Sequence, residues 1–162
     1  MKDKTCCFTG HRQIPQEDFP AIYKELKETL ISYIGQGYLY FGAGGALGFD
    51  TLAAQTVLEL KTQFPKIKLI LVLPCKDQNA KWISEDKEEY ERIKTLADKV
   101  VYTSDHYYNG SMQKRNRHLV DYSGLCICYL TKQFGGTKYT VDYAKKKGLT
   151  VVNMAKQRGE ST

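Results

Sequence analysis

At 162 residues, with 42% hydrophobic and 26% charged side chains, the chain has the size and composition of one soluble globular domain with a real core. No apolar run approaches membrane-spanning length, and Met1-Lys2-Asp3-Lys4 lacks the apolar stretch and cleavage site of a secretory leader, so a cytoplasmic protein with no membrane partner is expected. The net charge of +6 permits binding to phosphates or nucleic acid without demanding either.

Strand-like and helix-like segments alternate along the whole length. Thr5 to Thr9 is a short apolar run that stops at Gly10 and reads as a buried strand. Phe19, Ile22, Tyr23, Leu26, Leu30, Tyr33 and Ile34 then mark one face of a helix, which Gly35 and Gly37 end. Tyr38 to Phe41 is expected as the second strand. A glycine-rich stretch follows, from Gly42 to Asp50. Leu52, Ala53, Val57, Leu60 and Phe64 give a second amphipathic helix, stopped before Pro65.

The run from Ile67 to Leu73 is almost continuously apolar, as in strands covered on both faces. Helices are expected from Ser84, from Ser111 to Tyr122, and from about Thr137 to Lys147. Strands are expected at 99–103, 125–130 and 149–153. Residues 1–154 form a single domain in this reading, and 155–162 a polar C-terminal tail. No internal repeat or domain linker interrupts the pattern.

The five cysteines are odd in number and lack zinc-type spacing, so no metal site is expected. Cys6, Cys7, Cys126 and Cys128 sit inside apolar strand runs, where cysteine behaves as a small hydrophobe. Cys75, just after a strand and Pro74, is expected to lie more openly near a ligand.

The alternation implies a doubly wound α/β fold: a mostly parallel sheet with helices on both faces. Ligands of such sheets bind at the carboxyl ends of the strands. The distinctive loops all fall there. Gly10, His11 and Arg12 follow the first strand, and Arg12 can clamp a phosphate. Gly42, Gly44, Gly45 and Gly48 form a loop that opens a helix, where free N–H groups and the helix dipole suit an anion. Asp50 can cap that helix or accept from ribose hydroxyls. Gly135, Gly136 and Thr137 repeat the device.

Within the Ser111 helix, Arg115 shares the inward face of Met112 and Leu119, and Asn116 lies one turn after Met112. An inward arginine needs an anion, either a ligand or a carboxylate such as Asp50 or Asp121. Trp82, Tyr107 and Tyr108 occupy loops of the same edge, where they can either stack on a base or pack the loops.

These residues resemble a family. Thr9-Gly10-His11-Arg12, Gly44-Gly45-Ala46-Leu47-Gly48-Phe49-Asp50, Lys114-Arg115-Asn116-Arg117 and Gly135-Gly136-Thr137 fall in the order found in the SLOG superfamily. That group joins the Rossmann domain of DNA-processing protein A (DprA) with the LOG-type phosphoribohydrolases. Gly10-His11-Arg12, Leu73-Pro74-Cys75, Arg115-Asn116 and Val120-Asp121-Tyr122-Ser123 are most similar to its YpsA-like family of small bacterial and phage proteins.

The resemblance implies a Rossmann-like fold and a pocket for a nucleotide or nucleotide-derived ligand, NAD- or ADP-ribose-like, with no established cofactor. LOG-type enzymes carry a glutamate three residues beyond the threonine of their Gly-Thr step. Here that position is Thr140, and a neutral hydroxyl is a poor general base. Three functions therefore compete. The first is binding or sensing of a small-molecule nucleotide. The second is a nucleoside-monophosphate phosphoribohydrolase with an altered acid. The third is single-stranded DNA binding by analogy with DprA. Self-association is expected from the fold class.

Overall fold

In the computed structural model, which describes residues 1–155, six strands form one fully parallel sheet: β1 (Thr5–Gly10), β2 (Tyr40–Ala43), β3 (Lys68–Leu73), β4 (Lys99–Tyr102), β5 (Leu125–Tyr129) and β6 (Thr150–Asn153). The expected tail lies outside the described residues except for Ala155. Five helices connect the strands: α1 (Phe19–Gly35), α2 (Phe49–Leu60), α3 (Ser84–Leu96), α4 (Ser111–Asp121) and α5 (Gly136–Lys146).

Alternation within each strand builds the two layers, because successive side chains point to opposite faces. Cys6, Phe8, Phe41, Leu69, Leu71, Leu125 and Ile127 pack with Leu26 and Leu30 of α1, Val57 of α2 and Ile93 of α3. Cys7, Val72, Cys126 and Cys128 pack on the other face with Leu119 and Val120 of α4 and Val141 and Ala144 of α5. Each such leucine or phenylalanine contributes roughly 1.5–3 kcal/mol by leaving water. The five cysteines are free and buried, Cys75 included, so the expected openness of Cys75 is not observed. Phe19, read as inward, is instead 42% exposed in the first turn of α1, a turn whose buried face begins at Ile22.

The second strand runs two residues later than its apolar run suggests. Gly42 and Ala43 belong to β2, and Gly42 sits in register between Cys7 of β1 and Ile70 of β3. A Cβ on Gly42 would stand 3.0 Å from Leu119 Cδ2. This glycine lets α4 pass closely over the sheet, so packing explains it.

The strand order β4-β3-β2-β1-β5-β6 places the site. From β1 the chain steps outward through β2, β3 and β4, then returns to the other side of β1 as β5. Loops leaving β1 and β5 therefore part in opposite directions and leave a crevice at the carboxyl edge.

Candidate functional site

A crevice of about 2040 Å3 opens at that switch point. Gly10, His11, Arg12, Asp50, Arg115, Asn116, Gly135, Gly136 and Thr137, all expected at a site, line it. Gly42, Gly44, Gly45 and Gly48 do not; their loop contributes Ala46 and Asp50 instead. Trp82, Tyr107 and Tyr108 are also absent from the lining. They follow β3 and β4, and β4 lies three strand spacings, about 14 Å, from β1. Trp82 packs edge-on against Tyr90 at 5.3 Å, the packing alternative of its two readings.

His11 ties three loops together at the mouth. Its N–H donates to the Tyr129 carbonyl at 3.3 Å, and its carbonyl accepts from the Phe49 N–H at 3.1 Å. Its ring Nε2 accepts from the Thr131 N–H at 2.9 Å. A ring nitrogen facing a backbone N–H must be the unprotonated one, so His11 is neutral with its proton on Nδ1. Burial, then the nearby Lys132 charge, pushes its pKa below the usual histidine value.

Asp50 and Arg115 are the buried charges of the crevice, 6% and 5% exposed. They meet at Gly44. A Cβ there would lie 2.6 Å from Arg115 Nη1 and 2.9 Å from Asp50 Oδ2. The guanidinium donates from Nη1 to the Gly44 carbonyl and from Nε to Asn116 Oδ1 at 2.7 Å. Asp50 Oδ2 accepts from the Ala46 N–H at 3.3 Å. No ion pair within 4.0 Å joins the two among the described residues. Asp121, the other partner considered for Arg115, accepts from the Tyr143 hydroxyl at 2.7 Å instead. Burial raises the Asp50 pKa to about 6, with Arg115, the Ala46 N–H and Arg12 opposing it. Burial likewise lowers the Arg115 pKa, with Asp50 opposing.

The other wall is the start of α5. Its N-cap is Gly135, with φ 96° and no side chain to cap the helix. A Cβ on Gly135 or Gly136 would meet no atom within 4 Å. The first turn therefore presents backbone N–H groups and the positive helix end to open space. Thr140, at the LOG glutamate position, is buried, and its hydroxyl donates to the Gly136 carbonyl at 2.9 Å. Asp142 points elsewhere and pairs with Lys138 at 2.8 Å.

Sequence reasoning missed Asn153. Its Oδ1 accepts from the Leu130 N–H at 3.1 Å and its Nδ2 donates to the Leu130 carbonyl at 3.0 Å, fixing the exit of β5. An amide ending an apolar strand at the ligand edge was the available signal. Lys132 and Phe134 also line the crevice, on the loop that leads into Gly135 and Gly136.

A parallel sheet with this order and a crevice at the return beside β1 define a Rossmann-like α/β protein. The model of the YspA SLOG family matches residues 7–156. The chain belongs to that family. It is 27% identical over 154 residues to the UPF0398 protein YpsA of Bacillus subtilis strain 168, covering 89% of this chain and 86% of that one. It is 31% identical over 139 residues to the uncharacterised SPbeta prophage-derived protein YoqJ of the same strain, covering 75% and 81%.

Among solved structures, DprA of Streptococcus pneumoniae superposes with a TM-score of 0.66 at 17% identity. That match covers 93% of this chain and 50% of the pneumococcal chain, so the present chain corresponds to half of it. DprA of Helicobacter pylori, which binds single-stranded DNA, also gives 0.66 at 19% identity, covering 99% and 69%. At these identities the likeness concerns the fold. No helix among the described residues is long and apolar enough to cross a membrane.

Proposed function

We propose that the protein binds a nucleotide in the crevice between the β1 and β5 exits, with a phosphate against the first turn of α5. The observation that carries this reading is the open turn Gly135-Gly136-Thr137, facing a crevice that Arg12 and Lys132 also line. Backbone N–H groups and a helix dipole favour an anion, and neither cation is engaged in an ion pair with a described residue. The buried Asp50 and Arg115 deeper in the crevice suit hydroxyls of a ribose, with one group accepting and the other donating. A volume of about 2040 Å3 is larger than a usual small-molecule pocket, which favours an NAD- or ADP-ribose-like ligand over a lone mononucleotide.

Thermal-shift and calorimetric titration against AMP, ADP-ribose, NAD and a single-stranded oligonucleotide tests the proposal. Stabilisation by one or more of the small nucleotides is expected. Stabilisation by the oligonucleotide alone transfers the site to DNA binding, as in the Helicobacter pylori protein. No response to any of the four rejects the reading.

One observation favours a hydrolytic function as well. Asp50, with a pKa of about 6, is a carboxylate suited to proton transfer near neutral pH. Release of free base from nucleoside monophosphates, abolished in Asp50→Asn, would establish it. Intact nucleotide after prolonged incubation leaves binding as the function.

A further inference from the structure

The packing of the fold does not account for Phe134. Its ring is 72% exposed, and it makes no ring or cation–π contact with a described residue. The other aromatic rings lining the crevice are engaged: Tyr129 stacks on Phe49 at 6.1 Å, and His11 meets Tyr129 edge-on at 5.9 Å. Other large apolar side chains are exposed elsewhere, such as Tyr107 and Tyr122, but among them Phe134 alone lines the crevice. It directly precedes Gly135 and Gly136, around which the space is open. One short segment thus carries an aromatic face in water and an uncapped helix end. A nucleotide offers the two complements, a flat base and a phosphate, joined by a sugar.

We infer that Phe134 is the platform on which the base of the ligand stacks, so that the site selects base-bearing nucleotides over sugar phosphates and free phosphate. The inference rests on the nucleotide reading above and adds to it the part of the ligand that gives selectivity. Stacking is tolerant of base identity, because every base has a π-face. The platform therefore discriminates nucleotide from sugar phosphate and leaves the choice among bases to other groups.

Calorimetric titration of AMP and ribose 5-phosphate into the wild-type protein, Phe134→Ala and Phe134→Trp tests this. Wild type should bind AMP more tightly than ribose 5-phosphate. Phe134→Ala should lose roughly tenfold for AMP and nothing for ribose 5-phosphate. Phe134→Trp should retain AMP binding, and its added fluorescence, measured above the single native Trp82, should be quenched by AMP. Equal losses for both ligands in Phe134→Ala, or no loss for either, overturn the stacking role while the nucleotide reading survives. If wild type binds neither ligand but binds ADP-ribose or NAD, the same comparison is made with those nucleotides. Failure of the wild type to bind any nucleotide overturns both. Unfolding midpoints of the variants equal to wild type, as expected for an exposed position, keep the comparison free of folding effects.

Discussion

Two glycine turns open helices at the same sheet edge, and they do different things. In the first, every glycine has a protein neighbour where its Cβ would be. A Cβ on Gly44 would meet Arg115 and Asp50. One on Gly45 would lie 2.5 Å from Leu73 Cδ2, and one on Gly48 would land on the Arg12 backbone. A Cβ on Gly10, the last residue of β1, would lie 2.5 Å from Phe49 Cβ. These glycines hold the β1 and β2 exits together. In the second turn, Gly135 and Gly136 face open space. The same residue type thus builds the wall in one turn and exposes the binding surface in the other. Glycine richness alone cannot separate the two; the space around each glycine does.

The contrast predicts opposite responses to substitution. The largest effect is expected for Gly48→Ala. Gly48 has φ 80° and lies on the Arg12 backbone, which has no flexible end to move aside. Overpacking and left-handed strain together should cost about 3 kcal/mol, measured by denaturant unfolding. An unfolding midpoint equal to wild type would mean that the two loops are not packed as described.

The next effect concerns the charge behind that wall. The folded-state pKa of Asp50 is raised from 3.8 to about 6, so the native state takes up its proton before the unfolded chain does. Stability should therefore rise as pH falls from about 7 to about 4, and above pH 6 ionised Asp50 costs about 3 kcal/mol. Asp50→Asn should remove this slope and unfold no earlier than wild type at pH 8. A slope that persists in the variant would assign it to another group.

Much of this is legible in the sequence, for a physical reason. Helix and strand periods are local, so the β1, α3 and β5 segments and the inward phase of Arg115 follow from residue spacing. The carboxyl edge as the site follows from parallel topology. What remained hidden depends on contacts distant in sequence. Gly42 looks like a loop glycine until Leu119, on a helix five elements later, is seen above it. Trp82 and Tyr107 look like base-stacking residues until the strand order puts β3 and β4 on the far side of β2. Asn153 shows in the sequence only as an amide ending an apolar strand, because the two hydrogen bonds that give it its role reach Leu130, 23 residues back.

A smaller effect is expected at the knot between the walls. His11 is neutral in the fold, and its pKa is lowered. Its contribution to stability is therefore complete above the unfolded value near 6.5 and is lost as pH falls through that value toward the folded one. Protonation replaces the acceptor facing the Thr131 N–H with a second donor. His11→Ala should remove this acid-side loss, which runs opposite to the Asp50 slope and is best measured in the Asp50→Asn background.

The smallest change in stability should accompany the most informative change in binding. Gly136→Asp places a carboxylate at the first position of α5, where a Cβ meets nothing within 4 Å. A negative charge there complements the helix dipole and should stabilise the protein by about 0.3–1 kcal/mol. The same charge occupies the turn proposed to take the phosphate, and a second anion beside it is repelled. Gly136→Asp should therefore unfold at the same temperature as wild type or slightly above it and lose nucleotide binding. An aspartate introduced into a packed glycine turn would do the reverse, damaging the fold first. If Gly136→Asp binds nucleotide as wild type does, the phosphate does not sit on α5, and the distinction between the two turns is one of packing alone.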